Sequence, residues 1–211
     1  MGSGETSGRL NALLIATGLE RLDAETGGLF ERYISLFLRW NNRLNLSAAR
    51  DEEVILSRHI IESIVVAYKL PQGIRTVLDF GSGAGLPGVP IALCRPEIAV
   101  TLAESQGKKA AFLQEAVRVL GLKAVVYAQR AETLNETFDC VILRAVDKMP
   151  KAVADATRLV APEGWLALMT TTGEEKKLER AASEAFRFGD TLQLPNSTER
   201  VLVLARRTSG D

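Results

Sequence analysis

The sequence predicts an α/β protein built on a Rossmann-like, mostly parallel sheet with an antiparallel terminal strand, preceded by a helical extension. Three observations carry that prediction. After Gly73, short β-rich runs alternate with helical ones, the pattern of a parallel sheet with helices on both faces. The last two β-rich runs are separated only by the turn Pro195-Asn196-Ser197, and so short a link joins antiparallel strands. The residues before Gly73 instead repeat apolar side chains at three- and four-residue steps, the helical period.

Leu10, Leu13, Leu14 and Ile15 open one amphipathic helix, and a second over 28–46 carries Phe30, Tyr33, Ile34, Phe37, Leu38 and Leu44. A third begins near Asp51-Glu52-Glu53, acids suited to the positive end of a helix dipole, and stops before Pro71. Strands follow over 76–80, 98–103, 124–127, 140–143 and 165–170, with helices over 89–94, 108–120 and 151–159 between them. The antiparallel pair is expected at 189–194 and 200–205. Three units result: 1–8, a frayed tail or cloning remnant; 9–72, the helical extension; and 73–211, the sheet domain.

Composition narrows the function. The 211 residues include 26 Lys+Arg and 26 Asp+Glu, with 46% apolar types, an ordinary globular balance. Nine basic and nine acidic residues occur through Arg75 and seventeen of each beyond it, so neither part is a basic arm. This argues against a polyanion binder held by bulk attraction; any nucleic acid must be held by local clusters. Cys94 and Cys140 each lie in an apolar run and read as reduced, buried thiols of a cytoplasmic protein. Every long apolar stretch is interrupted, as by Glu62, so no membrane span is expected.

The richest local signal is Asp79-Phe-Gly81-Ser-Gly83-Ala-Gly85-Leu-Pro87-Gly88, directly after the first strand and opening a helix. Glycines there let the backbone turn sharply and approach a ligand closely. The same turn can serve only to join a strand to a helix. Glu104 tips the balance: it follows the second strand, where a carboxylate can accept both hydroxyls of a ribose. Glu132, in Arg130-Ala131-Glu132, follows the third strand at the same rim. The glycine spacing is G-x-G-x-G, with Leu86 where a dinucleotide fingerprint has its third glycine. Asp79 at the mouth of the loop suits a cationic ligand better than a pyrophosphate, and S-adenosylmethionine carries a sulfonium and an ammonium on an adenosine.

These residues resemble a known family. Asp79 to Pro90 (DFGSGAGLPGVP), Glu104-Ser-Gln-Gly-Lys-Lys109, Arg130-Ala-Glu132 and Arg144-Ala-Val146 are similar to the GidB family of bacterial 16S rRNA guanine-N7 methyltransferases. Trp40-Asn-Asn-Arg-Leu-Asn-Leu46 and Arg58-His59 resemble the helical extension of that family. The resemblance implies a class I S-adenosylmethionine-dependent methyltransferase fold with a seven-stranded sheet. It also implies methyl transfer to N7 of a guanine in the 530-loop hairpin of 16S rRNA, and contacts to the methyl donor from Gly81, Leu86, Ala131, Glu132 and Arg144. The chain departs from the family pattern at Glu62, where Asp is usual, at Leu143, where Ser is common, and at Phe80.

The expected cofactor set is therefore Asp79, Gly81, Ser82, Gly83, Gly85, Leu86, Glu104, Ser105, Ala131, Glu132 and Arg144. The expected substrate set is Arg58, His59, Lys108, Lys109, Arg130 and again Arg144. Guanine N7 has an available lone pair, so in-line attack needs alignment and no general base. No catalytic side chain and no metal ligand is expected, in keeping with a single histidine. Leu143-Arg-Ala-Val146 stands where amino-group methyltransferases place Asn/Asp-Pro-Pro-aromatic, and Cys140 lies inside a strand rather than at the end where a nucleophile would be needed. His59 reads as a packed side chain orienting the extension or as a contact to RNA; Trp40 reads as core. The expected partner is 16S rRNA or the small ribosomal subunit particle, met by a monomer. Two alternatives stay open, a nicotinamide-dependent oxidoreductase and a non-catalytic RNA-binding module on the same fold.

Overall fold

A computed structural model of the chain describes residues 4–44, 46 and 51–208. The strands are β1 (Thr76–Phe80), β2 (Ala99–Ala103), β3 (Ala124–Tyr127), β4 (Phe138–Arg144), β5 (Val160–Thr171), β6 (Phe186–Gln193) and β7 (Arg200–Arg207). They form one sheet in the order β3-β2-β1-β4-β5-β7-β6. The pairs among β1 to β5 are parallel, while β7 is antiparallel to both β5 and β6. The helices are α1 (Glu5–Ala16), α2 (Ala24–Leu44) and α3 (Glu52–Val54), which runs through a π-helical turn (Ile55–Ile60) into α4 (Ile61–Lys69). Then come α5 (Gly88–Cys94), α6 (Gly107–Leu120), α7 (Met149–Thr157) and α8 (Glu175–Ala182).

Strand alternation feeds two cores. Val77, Cys140, Ile142 and Ala167 face one side of the sheet; Leu78, Val141, Leu143 and Leu168 face the other. The first core takes Leu10 from α1, Phe30 and Phe37 from α2, and Ile61 and Ile64 from α4. It packs them with Val89 of α5 and Phe112 of α6. The change of pattern near residue 73 is thus not a break in packing: the helical extension shares the core of the sheet. Trp40 sits at this junction, edge-on to Phe112 at 5.8 Å between ring centroids, and its indole N–H donates to Glu115 Oε2 at 3.1 Å. It supports the core and is not a platform for bases.

Several elements differ from expectation. Helix α1 begins at Glu5 with Thr6 buried, so it reaches into the segment expected to be a tail; residues 1–3 lie outside the described residues, as does Asn45. Helix α2 starts four residues earlier than the apolar pattern because Asp23 accepts from the Thr26 N–H and hydroxyl, both at 2.8 Å. Helix α8 was not expected: only Leu178 and Ala182 anchor it, a single i,i+4 pair in a charged run. Strand β5 begins at Val160, ahead of Glu163 in the left-handed region and Gly164, whose hydrogen faces backbone oxygens of Ala161 and Asp139. A Cβ at Gly164 would lie 2.8 Å from the first of these. Cys140 is buried in β4 and Cys94 is half-buried, and neither is in a disulfide. Among the described residues no helix is long and apolar enough to cross a membrane.

Candidate functional site

The carboxyl ends of β1, β2 and β4, with the segment after β3, open on one cleft of about 680 Å³. In an open α/β sheet this edge is where the strand order reverses and ligands bind. Its floor is the glycine loop: the Gly81 and Ser82 N–H groups both donate to the Ala103 carbonyl, at 3.0 and 2.9 Å, turning the chain across β2. Gly81 and Gly83 have φ of 76° and 57°, which only glycine adopts without strain. A Cβ on Gly81 would come within 3.2 Å of Val146, so that side chain closes over the loop.

Glu104 is the most fully organised acid in the cleft. It is 7% exposed; Oε2 accepts the Gly83 N–H at 3.0 Å and Oε1 the Gln106 N–H at 2.7 Å. The carboxylate thereby ties the glycine loop to the start of α6, and each oxygen retains a further lone pair. Glu132, on the 3₁₀ turn Ala131–Thr133, lines the same cleft and pairs with Arg130 at 3.3 Å.

The expected set is largely brought together. Gly81, Ser82, Gly83, Leu86, Glu104, Ser105, Ala131, Glu132 and Arg144 all line the cleft, with His59, Lys109 and Arg130 from the substrate set. Four residues do not. Asp79 is buried beneath the loop, where Oδ2 accepts the Gly88 N–H at 3.0 Å; burial pushes its carboxyl up to about 7. The expectation that Asp79 faces a cationic ligand is therefore corrected: it pins the start of α5. Gly85 is also a packing position, since a Cβ there would meet Val89 at 2.7 Å and Leu113 at 3.0 Å. Arg58 and Lys108 are exposed and outside the cleft lining.

Further contributors lie outside the two expected sets. The Tyr33 hydroxyl donates to the Ala84 carbonyl at 2.6 Å, so α2 holds the loop from below. After β4 the chain passes through Ala145 and Lys148, both in the left-handed region at φ 48° and 50°. For residues with a Cβ this is a strained path, of the kind concentrated at functional sites. Gln106, Gln129, Val146, Asp147 and Asp155 also line the cleft. No spacing rule marks them, because they arrive only through the positions of neighbouring strand ends.

The wall opposite Glu104 joins the extension to β4. Arg144 donates from Nη1 to the His59 carbonyl (3.3 Å) and to Ser63 Oγ (3.1 Å). Its Nη2 reaches His59 Nδ1 and Glu62 Oε2, the latter at 3.5 Å. An arginine only donates, so Nδ1 accepts and the imidazole proton resides on Nε2. Burial lowers the His59 pKa to about 4, helped by the guanidinium groups of Arg144, Arg58 and Arg200. An unfolded chain protonates His59 near pH 6.5, so its neutral form contributes stability that is full above that pH and lost as pH falls toward 4. Asp79 acts in the opposite sense: its protonated form stabilises the fold below about pH 4, and this is lost as pH rises toward 7. The two offset each other between pH 4 and 7. Replacing His59 by Gln should unmask Asp79, so that relative to the native protein the variant loses on the order of 2 kcal/mol more on going from pH 4.5 to 7. Urea denaturation at both pH values checks this, and parallel curves for the two proteins would refute it.

The family profile described as GidB, rRNA small subunit methyltransferase G, matches residues 28–201. The chain belongs to that family. It is 39% identical over 202 residues to the ribosomal RNA small subunit methyltransferase G of Xanthomonas campestris pv. campestris (strain B100), covering 92% of this chain and 93% of that protein. The protein of the same name from Halorhodospira halophila (strain DSM 244 / SL1) is 41% identical over 162 residues, 76% of each chain. Among solved structures, mitomycin 7-O-methyltransferase MmcR superposes with a TM-score of 0.62 at 14% identity, covering 85% of this chain and 67% of that one. P. horikoshii TYW2, solved in complex with MeSAdo, gives 0.59 at 15% identity over 72% and 63%. At such identities the structural likeness speaks for the fold, which is the class I S-adenosylmethionine-dependent methyltransferase fold. The oxidoreductase alternative falls with the family assignment, and the protein is an S-adenosylmethionine-dependent rRNA methyltransferase.

Proposed function

We propose that the protein methylates N7 of a guanine in the 530-loop hairpin of 16S rRNA, by in-line attack without a general base, acting as a monomer in the cytoplasm. The observation that supports this most is a single cleft in which an anchored acid and an open glycine loop face basic side chains, while its one imidazole is engaged as an acceptor.

S-adenosylmethionine, when bound, supplies an electrophilic methyl group. The residues present fit it: Gly81 and Gly83 leave room for close backbone approach, and Glu104 keeps lone pairs for two hydroxyls. Its charge also favours a cation. Ala131 and Glu132 would close the adenosine side, with Leu86 and Ser105 on the flanks. On the other wall, Arg144 and His59 would meet the incoming base, with Lys109 and Lys148 placed for phosphates. Neither lysine has an ion-pair partner among the described residues, unlike Arg130 and Lys151, which pair with Glu132 and Asp155. Guanine N7 carries no proton in its reactive form. A neutral His59 that has spent Nδ1 on Arg144 is therefore no obstacle: it can donate from Nε2 and orient the base.

Labelled methyl transfer to small-subunit RNA lacking the modification, followed by mapping of the modified base, tests the reading. Incorporation at a guanine of the 530-loop hairpin is expected. Label in another RNA position, in DNA or in protein, or none in the 530-loop hairpin, would overturn the substrate assignment.

A further inference from the structure

The π-helical turn that carries His59 is gripped on both sides by the same distant hairpin. On one side the Asn196 side-chain amide donates to the Ser57 carbonyl at 3.0 Å. On the other, the Arg200 Nε–H donates to Glu62 Oε1, while Glu62 Oε2 receives Arg144 at 3.5 Å. Glu62 is 1% exposed and so is a buried acid shared by two arginines, one from β4 at the cleft and one from the first residue of β7. The hairpin end is itself stiff: the Arg200 N–H donates to Ser197 Oγ at 2.9 Å, the Leu194 N–H donates to the Arg200 carbonyl at 2.9 Å, and the Gln193 amide spans the turn to the Ser197 and Arg200 carbonyls. Asn196 adopts φ 55°, a conformation Asn tolerates better than most residues. A π turn holds one residue more than an α turn and is a recurrent feature of functional sites. Here the turn carries His59 and accepts a hydrogen bond at Ser57 from outside the helix.

We propose that the tip of the β6–β7 hairpin is a positioning device for the cleft, with Arg200 acting through Glu62 on Arg144, and Asn196 acting through Ser57 on His59. Neither Arg200 nor Asn196 lines the cleft. The charged groups around the imidazole are Arg58 on its own turn, Glu62 on α4, Arg144 on β4 and Arg200 on β7. Removing Arg200 therefore alters both the geometry and the field at His59. The proposal rests on the reading that this cleft is where the methyl group is transferred.

Two substitutions test it, with rRNA methylation kinetics and with NMR titration of the imidazole, which is unambiguous because His59 is the only histidine. Arg200→Met keeps the aliphatic stem and removes the guanidinium. It is expected to lower kcat by about 10- to 100-fold, the scale of a misplaced reacting group, with the Kd for S-adenosylmethionine within about threefold of the native value. The His59 titration should move upward from about 4, and Arg200→Lys should recover most of kcat. Asn196→Ala removes an exposed side chain and leaves the charges in place, so it serves if Arg200→Met fails to fold. It is expected to lower kcat severalfold and to shift the His59 ring resonances at neutral pH. Native kcat and an unchanged His59 spectrum in a folded Arg200→Met or Asn196→Ala protein would overturn the proposal. If the native protein transfers no methyl to rRNA, the functional reading fails, while the His59 spectra still decide whether the hairpin positions the turn.

Discussion

Replacing Glu104 by Ala should weaken S-adenosylmethionine binding by about 100-fold or more while the fold survives. Two charge-assisted hydrogen bonds to a ribose, at about 1.5 kcal/mol or more each, set that scale. The residue follows the last position of β2, and its own N–H donates to the Tyr127 carbonyl at 3.0 Å, so the backbone stays fixed after truncation. What is lost is the carboxylate that gathers the Gly83 and Gln106 N–H groups. Both donors border an open cleft and can turn to water, so the stability loss should be about 1 kcal/mol per released donor at most. Glu104→Gln is not a conservative control: its amide presents one oxygen and one NH₂ to two backbone donors, so one pair becomes donor against donor. It should bind nearly as poorly as the alanine variant. Calorimetry with S-adenosylmethionine and thermal denaturation read the two effects separately; binding within threefold of native by Glu104→Ala would refute the assignment of the acid to the cofactor.

Glu104 also shows what kind of information the sequence carries. Its place after a strand, together with glycines after the previous strand, is local information, and local patterns placed Gly81, Gly83, Glu104 and Glu132 on one rim correctly. Asp79 was misjudged by the same logic. It belongs to the last two residues of β1, and strand alternation turns it toward Gly88, away from the ligand side. The motif could not reveal that Gly88 is small because a Cβ there would lie 2.6 Å from Asp79 Oδ2 and 2.3 Å from Leu102. Gly85 was misread for the same reason: its space is occupied by Val89 and Leu113 rather than kept for a ligand. The helical extension was legible as helices but not as part of the core, since only assembly brings Tyr33 to Ala84 and Trp40 to Glu115. The ion cluster was least legible of all: Glu62 and Arg200 are 138 positions apart, and no periodicity links them.

Arg144→Met should destabilise the protein by about 3–5 kcal/mol and abolish methyl transfer, two losses that a second substitution can separate. Removing the guanidinium leaves Glu62, at 1% exposure, with Arg200 as its one ion-pair partner among the described residues, and withdraws donors from Ser63 Oγ, the His59 carbonyl and Nδ1. Breaking a buried pair from one side carries that cost because the remaining charge keeps its desolvation penalty without its attraction. Against a total stability of about 5–15 kcal/mol, it would leave little margin. The double variant Arg144→Met, Glu62→Leu removes both buried charges, and apolar replacement of a whole pair is often neutral or stabilising. Arg200, whose side chain is 23% exposed, can then turn to solvent. The double variant should therefore recover about 2 kcal/mol or more of what the single one loses, read from urea denaturation. Methyl transfer should stay lost in both, because neither restores a cation beside His59 on the wall that meets the base. His59 should titrate at higher pH in the double variant, having lost the cation next in importance to burial in holding it neutral. An Arg144→Met protein as stable as the native one would show that Glu62 does not depend on it; recovery of activity in the double variant would show that Arg144 serves only to balance Glu62.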